Sequence, residues 1–412
     1  MPAIRKDSRF FVESDIDTYL GTEMKIKIQQ FLFNKNHSWA IVGQNIGRAL
    51  LKKGHDVHFI STDGVQEKFI PPDLKSYIRE KPQGTYDAQI SYTAMKNFPA
   101  FLKNGNKNRI GIWNFETTIL PPGFAKYYKF TDKFCPSSKF AAKIFSDNGV
   151  PENHIEVVPH GINVEEYRSF ERYPLKTQKR YKILANIAQP HVRKNIDGLF
   201  ESYGMAFNKN DDVCLVAKVS AKKIPSPQVI KARTSRGIRK QQQKQSEKKD
   251  KISQFDVDFY SIYNAFCNKY PNHAEVEIIN EFVPSMVPIY NVCDIVYSVT
   301  HAECFWLPGL EGMATNNLII APNWGGQLEY MNEGNSLLID GKEGRAPKKM
   351  QYWVPSPYAA TFIPDLDDAA AKLQQGVREY DTLMTKFRPG MNEQLTRLTW
   401  NNVSQMILDL ME

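Results

Sequence analysis

The sequence predicts an α/β protein made of two doubly wound, parallel-sheet domains in tandem. Three observations predict it. Short apolar runs rich in Val and Ile alternate with segments of helical spacing, a polar and turn-rich stretch interrupts them near the middle, and the alternation then begins again. Such alternation calls for parallel sheets whose two faces are both covered by helices.

Residues 1–23 form a polar N-terminal extension with little periodicity, and Lys25 to Phe33 (KIKIQQFLF) reads as the first buried strand. Ile41 to Lys53 has helical spacing, Gly54 ends it, and Asp56 to Ser61 (DVHFIS) completes a strand–helix–strand unit. Further strands are expected at Ala88 to Tyr92, Ile110 to Asn114, Lys133 to Pro136 and Ile155 to Val158. These elements make a first domain of residues 24–172, and His160 to Arg180 carries the turn signals of a connector. A second domain, 173–375, opens with strands at Tyr181 to Ala185 and Val213 to Lys218 around a helix at Lys194 to Phe207. A helix at Ser261 to Lys269 follows, then strands at Val276 to Ile279, Cys293 to Ser298 and Leu318 to Ala321. From Asp367 the pattern is helical, and residues 376–412 form a tail with Met406, Leu408 and Leu410 near its end.

Of the 412 residues, 42% are hydrophobic and 12% aromatic, which excludes a chain disordered throughout. No apolar run is long enough to span a bilayer, and MPAIRKDSRFF lacks the apolar core of a signal peptide, so a cytoplasmic location is expected. Cys135, Cys214, Cys267, Cys293 and Cys304 are scattered and odd in number. They read as buried reduced thiols, not as a disulfide framework or a zinc site.

The net charge of +8 has a local source: residues 222–251 carry +9, and the rest of the chain −1. This insertion has almost no aliphatic or aromatic content, so it cannot pack a core of its own. A run of such charge seeks polyanions, either nucleic acid through its phosphates or an anionic membrane surface. It lacks both the aromatic residues that stack on unpaired bases and the apolar face of a membrane helix. A solvated loop with no partner therefore stays open beside those two.

The run from Thr300 to Glu329 concentrates chemistry. Leu307-Pro308-Gly309-Leu310 reads as a helix start, because proline is favoured in the first turn, where its missing N–H breaks no bond. Glu303 precedes that start and Glu311 falls about one turn inside it. Two carboxylates so placed can reach one ligand lying across the helix N-terminus, whose free N–H groups and dipole favour a diphosphate.

Four ordered segments resemble the GT-B glycosyltransferases of the large retaining family 4. They are CPSSKFAAKIFSDNGVPENHIEVVPHGIN (Cys135 to Asn163), RKNIDGLF (Arg193 to Phe200), YNVCDIVYSVTHAECFWLPGLEGMA (Tyr290 to Ala314) and APNWGGQLEYM (Ala321 to Met331). The resemblance implies two Rossmann-like domains facing across a cleft, with an acceptor side in the first and a donor side in the second. It also implies that the end of the helical tail crosses back onto the first domain. A nucleoside-diphosphate sugar, UDP- or GDP-linked, is the implied co-substrate, with no other cofactor and no metal. Arg193 and Lys194 would neutralise the leaving diphosphate, and Glu303 would touch the donor sugar. The backbone of Phe305, Trp306 and Leu307 would lie near sugar and phosphate, and Glu311 would bind the ribose hydroxyls.

Gly325 and Gly326 either approach the donor or only make a tight turn. Glu329 is expected to start a helix after them, and His160 and Gly161 to form a turn at the exit from the first domain. Ile112 to Phe124 (IWNFETTILPPGF) resembles a Trp-x-x-Glu and proline pattern of some members, which sets Glu116 on the cleft wall facing the sugar. Glu116 would then bind a sugar hydroxyl or orient the acceptor, or else cap the next helix. The loop Asn34 to Asn45 stands where the family has a glycine-rich loop but lacks the glycine pair; His37, Ser38 and Asn45 are its acceptor-side candidates.

The implied catalytic set is thus Glu303, Glu116, Arg193 and Lys194. The Asp-x-Asp pairs at Asp15, Asp256 and Asp365 do not end convincing strands and read as surface. The expected acceptor is a modified nucleic-acid base, reached through residues 222–251. A membrane-associated lipid or glycan acceptor, or nucleotide-sugar binding without transfer, are the alternatives.

Overall fold

The structure, a computed structural model, describes residues 22–34, 38–102, 107–221, 256–351 and 354–411. His37, the Asp15 pair and residues 222–251 lie outside the described residues.

In the first half, β1 (Lys25–Gln30), β2 (Asp56–Ser61), β3 (Ala88–Tyr92), β4 (Arg109–Ile112) and β5 (Lys133–Cys135) form one parallel sheet, ordered β2-β1-β3-β4-β5. Ile26 pairs with Val57 on one side and with Ala88 on the other. β3 is buried along its whole length, as a central parallel strand must be. The sixth strand expected at Ile155 to Val158 is not formed. Ile155 makes only an isolated bridge to Phe134. The ladder stops because β5 runs into Pro136, which has no N–H to donate.

The second half repeats the plan with β6 (Tyr181–Ala188), β7 (Val213–Val219), β8 (Glu275–Ile279), β9 (Ile295–Tyr297), β10 (Leu318–Pro322) and β11 (Leu337–Ile339). Their order is β11-β10-β9-β6-β7-β8, again all parallel. Strand order reverses between β6 and β9, and a crevice opens at the carboxyl ends of strands where order reverses. The chain segments leaving β6 and β9 carry Arg193, Lys194 and Glu303. A separate antiparallel pair, β12 (Gly341–Arg345) and β13 (Ala360–Pro364), follows. Sequence reasoning missed it because β12, GKEGR, is polar and mostly exposed.

Two of the helix starts that differ from expectation bear on the site. The helix expected from Lys194 begins at Ile196, so Arg193 and Lys194 occupy a short 3-10 turn before it. Asn195 causes the break: its backbone is left-handed (φ 51°), which Asn tolerates better than most residues, and its side chain donates to Val299 O at 3.0 Å. Similarly, the helix expected from Ile41 starts at Ser38 and runs to Lys52. Asn45 therefore sits on a helix, not in the loop assigned to it.

The chain ends in the helices Leu366–Arg378, Tyr380–Arg397 and Trp400–Asp409. The first two pack Leu373, Leu383 and Phe387 into the core of the second sheet. The last returns to the first sheet, where Trp400, Val403, Ile407 and Leu408 join Ile26, Val42 and Val57 in one cluster. Ile162 N donates to Leu398 O at 2.7 Å at this crossing. Among the described residues no helix is long and apolar enough to cross a membrane.

Candidate functional site

A buried carboxylate stands between two cations where the segments leaving β6 and β9 meet. Arg193 Nη1 lies 2.7 Å and Lys194 Nζ 2.5 Å from the same oxygen of Glu303, whose residue is 6% exposed. Arg193 also donates to Ala302 O at 2.9 Å, and its own carbonyl accepts from Thr300 Oγ1 and His301 N, both at 2.8 Å. The segments leaving β6 and β9 are thus stitched together on both sides of Arg193. Across the cleft, Glu116 Oε1 stands 3.7 Å from Arg193 Nη2.

The two carboxylates differ in their proton affinity. Burial alone would raise Glu303, but Arg193 and Lys194 outweigh it and hold its carboxyl below the ordinary value. For Glu116 burial wins over the more distant Arg193, and its carboxyl is raised. Burial also lowers Lys194, against the pull of Glu303.

The helix Leu307–Ala314 begins four residues after Glu303. No side chain caps it, and Trp306, at the cap position, takes a left-handed conformation (φ 62°) fixed by Tyr330, whose hydroxyl donates to Trp306 O at 2.6 Å. Glu311, one turn in, accepts from Tyr290 Oη at 2.6 Å, which in turn accepts from Asn186. Burial raises its carboxyl, while Tyr290 and Tyr167 hydrogen bonds work the other way. Glu311 lines a cavity of about 320 Å³ with Leu307, Tyr167 and the segment Val283 to Val287, and Gln44, Asn45 and Arg48 of the first domain also line it. Arg48 is held there by a two-pronged bond to Asp73 and by Asn45. Sequence reasoning missed Tyr290, Tyr167 and Arg48, because neither tyrosine nor a helical arginine stands out without its neighbours.

Gly325 and Gly326 shape the Glu303 segment from outside. Gly325 has φ 99°, and a Cβ at Gly326 would stand 1.6 Å from Cys304 O. Gly326 N donates to Glu303 O at 2.8 Å. Glu329 does not start a helix, as expected, but ends a short 3-10 turn; its carboxylate accepts from Lys139 N, capping a helix of the first domain. His160 sits at the domain exit against Tyr92 and Phe305, buried and neutral, with burial pushing its pKa down to about 3. Ser38 is exposed at its helix start.

Asp258 and Asp365 cap helices, which accounts for two of the Asp-x-Asp pairs. All five cysteines are free thiols, and four are buried. Among the described residues no group of three His, Cys, Asp or Glu is placed to hold a metal ion.

No family model and no curated protein matches the chain in sequence. Solved structures do match in shape. A glycosyltransferase from Rickettsia africae is 15% identical with a TM-score of 0.63, covering 94% of this chain and 98% of its own. HepE of Anabaena, solved in complex with UDP and glucose, is 12% identical with a TM-score of 0.62, over 93% and 98%. An α,α-trehalose-phosphate synthase (UDP-forming) from Burkholderia vietnamiensis is 9% identical with a TM-score of 0.60, over 94% and 99%. Two doubly wound parallel sheets, joined across a cleft by a returning C-terminal helix and matched end to end by these structures, give the chain the GT-B fold.

Proposed function

We propose that this chain is a glycosyltransferase that moves a sugar from a UDP- or GDP-linked donor to an acceptor hydroxyl, with retention of configuration and without a metal. The observation that carries it is the pairing of Glu303 with Arg193 and Lys194 beside the uncapped N-terminus of Leu307–Ala314. An anionic leaving group at that helix end would meet two cations and a helix dipole together. Glu303, kept ionised, accepts from the sugar hydroxyls, and Glu311 takes the ribose hydroxyls in place of its tyrosine partners. Gly325 and Gly326 hold the Glu303 segment in place. Phe305, Trp306 and Leu307 line the path of the diphosphate. Glu116, on the opposite wall, orients the incoming acceptor hydroxyl, whose proton passes to the departing phosphate oxygen. Charge stabilisation and orientation are then the protein's contribution. UDP is the first donor base to try, because the matching structures include one solved with UDP and one named UDP-forming.

The motif set from Cys135 to Met331 supports membership of the retaining family 4. The acceptor reading, a modified nucleic-acid base, is supported by the +9 segment of residues 222–251. Release of nucleoside diphosphate from a panel of UDP- and GDP-sugars, by the native chain and by Glu303→Ala, tests the enzyme reading. Turnover by the native chain and its loss in the variant are expected; no turnover with any donor would sink it. Removing Lys222 to Lys251 and comparing DNA and liposome binding across a salt series tests the acceptor. Equal binding by both forms would remove the support for a polyanion.

A further inference from the structure

The β12–β13 pair and the loop between its strands extend the second domain across the cleft, and their contacts converge on the two walls of the site. On the donor side, Ala346, Met350, Val354 and Ala359 form a small buried cluster with Val192, the residue before Arg193. Lys349 of the same loop bonds Asn195 Oδ1 at 3.3 Å and pairs with Asp197, just beyond Lys194. β13 adds a contact to the segment carrying Glu303: Phe362 N donates to His301 O at 2.9 Å, and Phe362 O lies 2.8 Å from His301 Nδ1.

On the acceptor side the same element reaches the segment that carries Glu116. Ala360 N donates to Thr118 Oγ1 at 2.8 Å, Thr118 N points back to Ala360 O at 3.5 Å, and Ile119 packs against the Met350 cluster. The first domain holds this segment elsewhere: Asn114 bonds Tyr92 and Ser137, and Asn148 accepts from Leu120 N and donates to Thr118 O. Between those anchors, the Thr118 hydroxyl and the Ile119 side chain belong to the other domain. Glu116 is two residues from Thr118, and Arg193 is one residue from Val192. One apolar cluster therefore sets the position of both.

We infer that the β12–β13 hairpin is a positioning element of the transfer site, which grips Thr118 and Ile119 and thereby fixes Glu116 opposite Arg193. This rests on the reading of Glu116 as the acceptor-orienting carboxylate. Among the described residues, Thr118 and Ile119 are not assigned to the nucleotide, so loosening the hairpin's grip on them acts on the transfer step and leaves donor binding alone.

Full-length protein and four variants, Thr118→Val, Thr118→Ser, Glu116→Gln and the Thr118→Val/Glu116→Gln double variant, test this. The readouts are nucleotide release with water as acceptor, using whichever of UDP-glucose, UDP-galactose, UDP-N-acetylglucosamine and GDP-mannose turns over fastest, and amide hydrogen exchange across residues 114–120. Valine keeps the shape of threonine and removes the acceptor oxygen; serine keeps the oxygen. Thr118→Val is expected to lower kcat about tenfold, the scale of one lost hydrogen bond expressed in orientation, with KM for the donor within about twofold. Exchange across 115–119 rises in the same variant, and Thr118→Ser restores both. In the Glu116→Gln background valine has no further effect, because the hydroxyl works through the carboxylate. Loss of activity in Glu116→Gln with an unaffected Thr118→Val overturns the hairpin's role alone, as does full additivity in the double variant or unchanged exchange. An unimpaired Glu116→Gln overturns the reading of Glu116 and the hairpin's role together.

Discussion

At Glu303 two cations share one carboxylate oxygen, so removing its charge unbalances both. Glu303→Gln leaves Arg193 and Lys194 buried without the anion they share, with only the more distant Glu116 beside Arg193, which should cost about 3–5 kcal/mol of stability and lower turnover by roughly two orders of magnitude. Thermal melts and nucleotide release read the two effects separately. The pH dependence follows from the opposite displacements of the two carboxyls. The folded-state value of Glu303 is lowered, so its contribution to stability is present above the ordinary glutamate range and is lost as pH falls through the lowered value. Glu116 is raised, so between its unfolded and folded values the native state binds more protons and stability declines as pH climbs. If ionised Glu116 orients the acceptor, the acid limb of the rate profile lies above the ordinary glutamate range, and Glu116→Gln abolishes that limb. A limb that survives the substitution would assign it elsewhere. His160 does not contribute one near neutrality, since burial keeps it neutral.

Among the elements, the Gly325–Gly326 turn and the last helix have the clearest structural consequences. A methyl group at Gly326 meets the carbonyl of Cys304, so Gly326→Ala must push the Glu303 segment aside. The expected result is a loss of about 1–3 kcal/mol with a larger fall in turnover than in stability, read by melting and nucleotide release. The segment around Glu303 could be recognised in the sequence because proline and glycine mark its turns, whatever lies around them. The hairpin β12–β13 could not, because a polar exposed strand carries no alternation. The helix start at Lys194 was misplaced by two residues for a related reason: Asn195 is held left-handed by a bond to Val299, over a hundred positions away in sequence. Trp400, in the last helix, fills the core of the first sheet, so Trp400→Ala should destabilise by about 3–5 kcal/mol. A melt that broadens or splits would show the first sheet loosening before the second.

Across the whole molecule, the cavity between the domains has walls from both: Glu311, Leu307 and Val283 from one, Asn45 and Arg48 from the other. A nucleotide bound there stabilises the folded state by mass action, about 2.7 kcal/mol at a hundredfold excess over its Kd. UDP should therefore raise the melting temperature, and Glu311→Leu should remove most of that rise; a shift equal in both proteins would place UDP elsewhere. The sequence by itself determined the two parallel sheets, since buried parallel strands read as continuous apolar runs, and it marked Glu303 and Glu311 through local helix and turn chemistry, whereas Arg193 and Lys194 were marked only through a resemblance to a family. Only the tertiary structure decided which of them meet. Glu303 and Arg193 are 2.7 Å apart, though they lie on segments far apart in the chain. Glu116 reaches them from another domain, and the last helix crosses between domains. Such contacts depend on strand order and on complementary surfaces, and no local spacing encodes either.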